Sequence, residues 1–75
     1  MISGAEDSIL EDLISGQRKK IAALARRIDP SLTDDDLLQP HDHPKLRSHP
    51  GFQFEDGILA GMLSARAALR SHRAP

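Results

Sequence analysis

FEDGILAGMLSARAALR, residues 54–70, is the stretch whose reading decides the fold. Phe54, Ile58, Met62, Ala65 and Leu69 recur at spacings of four and three, the period of one helical face. The pattern predicts a helix over about 53–71. On a helical wheel Leu59 and Leu63 extend the apolar arc on one side, and Gly57, Gly61 and Ala68 extend it on the other. Even the back carries Ala60 and Ala67, so only Glu55, Asp56, Ser64, Arg66 and Arg70 are clearly polar. A helix apolar around most of its circumference needs cover on more than one side. One partner helix cannot give that.

Gly57, Gly61 and Ala65 form a line of small residues along this helix. Each glycine inside a helix destabilises it by roughly 1 kcal/mol relative to alanine. Two of them four apart point to a backbone or bulky side chain approaching closely; the plainer alternative is that Gly57 sits in a fraying first turn. In a membrane the pattern is a helix-dimer motif, but this helix is too short and too charged for that setting.

Upstream, a second long helix is predicted over about 5–28. Ser3…Glu6 and Ser8…Glu11 are two possible capping boxes at its start. Asp29-Pro30 ends it, because proline drives the preceding residue out of the α region. Leu10, Ile14, Gln17, Ile21, Leu24 and Ile28 make a heptad seam suited to shallow packing along another helix. Gln17 is the polar member, read as sitting at a solvent-reachable edge, with a register-setting role as the alternative. Ile9 and Leu13 widen the apolar face. Both helices are acidic at the start and basic at the end, each complementing its own macrodipole. Laid antiparallel, they also set acidic ends against basic ones. An antiparallel two-helix hairpin is the expectation.

The connection, 29–52, is too long to be structureless in a compact domain. It holds four of the five prolines, which lower the entropy lost on ordering. Thr33 to Leu38 reads as a short helical turn, with Thr33 as cap, Asp36 bonding back and Leu32 and Leu37 as a staple. A second turn is expected over 44–48, and His49-Pro50-Gly51 as a reverse turn. Leu32, Leu37, Leu38, Leu46, Phe52 and Phe54 are the expected anchors of this strap.

Composition agrees with an all-α reading. The 75 residues include ten Leu and nine Ala but no Val and one Thr, a bias toward helix and away from sheet. No cysteine is present, which removes disulfides and thiolate metal sites. Ten basic and eleven acidic residues leave the chain near neutral, so no polyelectrolyte role follows. Its longest uncharged run, 57–65, is far short of a membrane span, and 1–10 lack the pattern of a secretory signal. A soluble cytoplasmic protein, one helical domain over 1–75, is expected.

Few residues suggest chemistry. His41, His43 and His49 are of the type that ligates zinc, nickel or iron, and His41-x-His43 would point one way in an extended segment. Against a metal site, no further spacing completes a tight ligand set, and a solvated turn with Asp42 or His43 as a cap explains the same residues. Neither a nucleophile elbow nor a phosphate-cradling glycine loop occurs, so no catalytic residue and no cofactor are assigned. Arg18, Lys19, Lys20, Arg26, Arg27, Arg66, Arg70, His72 and Arg73 are the basic residues a nucleic-acid regulator would use. They do not form one stripe, and stacking aromatics are missing.

The expectation is therefore a non-enzymatic helical interaction or assembly module, without membrane or nucleic acid as partner. A hairpin of this size has little core of its own, which favours a homodimeric four-helix bundle with an interface at Gly57, Ile58, Gly61, Met62, Ala65 and Leu69. Cover of the second helix by the strap within one chain is the competing arrangement.

Overall fold

The computed structural model describes residues 4–73, with the side chains of 8–40 and 42–72. All regular structure among these residues is helical. Two long helices, α1 (Gly4–Ile28) and α3 (Pro50–Arg73), flank a four-residue α2 (Pro44–Arg47) and two single 3-10 turns at Asp36–Leu38 and Pro40–Asp42. No helix among the described residues is long and apolar enough to cross a membrane.

Ser3 lies outside the described residues. Ser8…Glu11 does not start α1, which is already helical at Gly4, and the Glu11 carboxylate instead accepts bonds from Arg66 and Arg70 on α3. At the other end the Asp29 N–H still donates to the Ala25 carbonyl. Pro30 then stops the helix, and the Asp29 carboxylate accepts from the Ser31 amide and hydroxyl to turn the chain. These two bonds hold the Asp29 carboxyl below its ordinary pKa.

The reciprocal cap expected at Thr33 and Asp36 is present. The Thr33 N–H donates to Asp36 Oδ2 at 2.9 Å and the Asp36 N–H to Thr33 Oγ1 at 3.3 Å, and these bonds at Thr33 lower the Asp36 pKa. What they nucleate is a 3-10 turn.

Helix α3 begins at Pro50, earlier than its hydrophobic period indicates, and His49-Pro50-Gly51 is a helix start instead of a reverse turn. Proline at the first helical position forfeits no bond. The His49 Nδ1 accepts the Phe52 N–H at 3.1 Å, doing for the helix what a Ser or Asp cap would do. Gly51 makes room: a Cβ there would lie 3.0 Å from the imidazole Cε1. Gln53 reaches back to the carbonyls of Leu46 and Arg47 at the end of α2.

Ala25, Leu46 and Phe52 are fully buried and Leu32 nearly so, with Ile21, Leu24, Ile28 and Leu37 packed around them. This core lies where the end of α1, the connection and the start of α3 meet. Leu38 and Phe54, both expected as strap anchors, are instead 75% and 68% exposed. Leu38 closes a single 3-10 turn that buries none of its residues.

Contacts between the long helices run in opposite order along α1 and α3. Glu11 meets Arg66 and Arg70, whereas Gln17 and Lys20 meet Glu55. The whole measures 43 × 20 × 17 Å, a two-helix layer thickened at one end.

Candidate interaction surface

Helical spacing sets which face of α3 looks at α1. Phe52, Glu55, Leu59, Met62 and Arg66 follow one another at three and four residues. Phe52 and Glu55 are buried, and Arg66 reaches Glu11. This stripe is rotated by about 80° from the Phe54–Leu69 seam read in the sequence, at 100° per residue. Glu55, read as one of the clearly polar residues outside the seam, is therefore turned inward, and Phe54 outward.

Gln17 explains the rotation. Its Nε2 donates to the Glu55 carbonyl at 2.8 Å and to Glu55 Oε1 at 3.3 Å, and the Glu55 carboxylate pairs with Lys20 Nζ at 2.8 Å. Gln17 is buried, not at a solvent-reachable edge. A buried carboxylate and amide are tolerated only when partnered, and here each supplies the other. Lys20 and then Gln17 hold the Glu55 carboxyl below its ordinary pKa against the opposing effect of desolvation. The heptad position of Gln17 marked it as unusual; nothing local marked Glu55, 38 residues away, as its partner.

Lys20 with Glu55 bridges one edge of the helix pair, and Glu11 with Arg70 bridges the other. On the Lys20 edge, Ile9, Leu13, Gly16 and Lys20 follow at spacings of four, three and four, so they share one stripe of α1. The corresponding stripe of α3 is Phe54, Ile58, Gly61 and Ala65, with Met62 and Leu69 beside it. Ile9 and Leu13 are 59% and 53% exposed and Phe54 more so. Gly16 and Gly61 would have nothing within 4 Å of an added Cβ. Within the chain, then, no close neighbour explains Gly61. Gly57 has equally open space but falls on the back of α3. The connection packs on the opposite face of the helix pair and leaves this one uncovered.

On the opposite face the connection and the two helices border a half-open cleft of about 310 Å³, lined by Ile21, Leu37, Phe52 and Leu59, with Arg18 and Asp56 as its charged members. His43 and His49 have separate partners. His49 caps α3, and His43 Nε2 lies 3.7 Å from Asp36 Oδ1. The side chain of His41 lies outside the described residues. Among the described residues no three His, Asp or Glu gather as metal ligands. Several cations weighed above for nucleic acid meet carboxylates: Lys20 with Glu55, Arg26 with Asp34, and Arg66 and Arg70 with Glu11.

No known family model, curated protein or solved structure matches this chain.

Proposed function

We propose that this chain is a non-enzymatic assembly module: an antiparallel helical hairpin whose uncovered face packs on a second copy to build a four-helix bundle. The observation that carries this reading is the apolar face shared by α1 and α3. It includes the expected interface residues Ile58, Gly61, Met62, Ala65 and Leu69, and it adds Ile9, Leu13 and Phe54. Gly57, on the back of α3, leaves the set.

Surface area supports the reading. The chain exposes 5237 Å², whereas a compact monomer of this mass exposes about 4,500 Å². The excess, roughly 700 Å², is close to the area of about 800 Å² that each partner contributes to a standard stable interface. Its radius of gyration, 14.5 Å, likewise exceeds the ~11 Å of a compact domain this long.

Light scattering at low micromolar concentration tests the proposal. Twice the chain mass is expected, with a melting temperature that rises with protein concentration. Gly61→Leu should shift the mass to that of a monomer by overpacking the face, at about 1–3 kcal/mol, and His41→Ala should leave it unchanged. A well-folded monomer of the natural sequence overturns the reading.

A further inference from the structure

We infer that the second copy lies with its α3 antiparallel on this α3, about a two-fold axis crossing the helix at Gly61 and Met62, and with its α1 on this α1. This rests on the homodimer reading and adds the geometry of the contact.

The spacing of the uncovered face carries the inference. Phe54, Ile58, Gly61, Met62, Ala65 and Leu69 are separated by four, three, one, three and four residues. That order is the same read from either end. A two-fold interface is self-complementary, so residue i must fit residue j where j also fits i. Laid antiparallel about its midpoint, α3 sets Phe54 against the second copy's Leu69, Ile58 against its Ala65, and Gly61 against its Met62. Large side chains meet small ones near the axis, where the helices come closest, and two large ones meet at each end. The open space over Gly61 is what a methionine needs.

Helix α1 repeats the arrangement. The ion pairs that fix the helices side by side, Glu11 with Arg66 and Lys20 with Glu55, set the turn between Leu13 and Gly16 level with the middle of the α3 stripe. The same axis then directs the exposed Leu13 toward the open space at the second copy's Gly16.

The chain has no cysteine, so single cysteines report the register without background. A disulfide requires Cα atoms within about 7 Å. Under mild oxidation Gly61→Cys and Met62→Cys should each become covalent dimers. Phe54→Cys alone should not, since its copies stand far apart along the bundle. Mixed with Leu69→Cys it should form the heterodimer. Ser15→Cys, exposed and off this face, is the control for random collision and should stay uncrosslinked. If light scattering gives a dimer but Gly61→Cys and Met62→Cys do not link, while Leu13→Cys links with Met62→Cys in mixture, each α1 lies on the other copy's α3. The register is then overturned and the homodimer stands. A monomer at every concentration overturns both.

Discussion

The two ends of this small molecule are held by different means. At one end α1, the connection and α3 converge on Ala25, Leu46 and Phe52, none of which reaches solvent. At the other end two helices touch along a single seam, with Ile14 as its buried apolar member and an ion-pair cluster from Glu11 to Arg66 and Arg70 along one edge. A third layer makes the difference. Four prolines stiffen the connection, and Leu32 and Leu46 cover the helices where it folds back. Beyond its reach the same apolar residue types remain exposed. An unchanged hydrophobic pattern thus yields a core where chain returns to cover it, and an exposed apolar face where none does.

Breaking the covered end should have the largest effect. Phe52→Ala removes a fully buried aromatic ring, and such truncations cost about 3–5 kcal/mol. In a chain this short that approaches the whole stability, so circular dichroism should show most helix lost at room temperature. Phe54→Ala, two residues on, makes the same chemical change on an exposed ring. Its effect on the isolated chain should stay within about 0.5 kcal/mol. A larger loss, present at high protein concentration and absent on dilution, would place Phe54 inside the bundle.

A glycine pair sharpens the comparison. Gly57 and Gly61 both have open space around an added Cβ, so alanine at either should stabilise a lone helix by roughly 1 kcal/mol. Gly57→Ala, on the back, should show this gain in thermal melts at any concentration. Gly61→Ala should show it only in dilute protein and lose it where the face is occupied. Equal gains at both positions, at every concentration, would mean that Gly61 never meets a second copy.

Both long helices, the Asp29-Pro30 stop and the Thr33–Asp36 cap were legible in the sequence, because each depends on residues within a turn or two of one another. The facing of α3 was not. Its wheel is apolar nearly all round, so periodicity fixes the helix but leaves its rotation open, and the seam was read on Phe54 instead of Glu55. What fixes the rotation is a bond between Gln17 and Glu55 across 38 residues, invisible to any local pattern. The start of α3 was missed for a related reason. Histidine is not a usual cap, and its imidazole fits only because Gly51 leaves space. The exposed face itself was legible in part: the seam read on α3 is the stripe left uncovered, whereas the contribution of Ile9 and Leu13 needed the helices side by side.

The buried latch gives a pH dependence. The Glu55, Asp36 and Asp29 carboxyls all sit below their ordinary pKa values, so each binds protons less readily folded than unfolded. Their stabilisation is present above the ordinary carboxylate range, about pH 4, and is lost as the pH falls through the lowered values. The midpoint of denaturant unfolding should therefore fall with acidification below that range. Glu55→Gln should flatten part of this slope. An unaltered slope would assign the acid sensitivity to Asp29 and Asp36, at the covered end, instead of the latch.

The smallest effect belongs to the uncovered end's ion pairs. Arg66 Nη1 lies 3.1 Å from both Glu11 carboxylate oxygens, and Arg70 Nη2 lies 3.1 Å from one of them. All three side chains remain partly or largely open to solvent, where such pairs contribute about 0–1 kcal/mol. Glu11→Gln should accordingly lower stability by less than about 1 kcal/mol, and the difference should shrink as salt shortens the Debye length from about 10 Å at 0.1 M to 3 Å at 1 M. Backbone hydrogen exchange separates this from a global effect. Amides early in α1 and late in α3 should exchange faster in Glu11→Gln, while those around Ala25 and Phe52 keep their protection. Uniform acceleration along both helices would mean that the two ends unfold as one unit, and that the contrast in their packing has no counterpart in their stability.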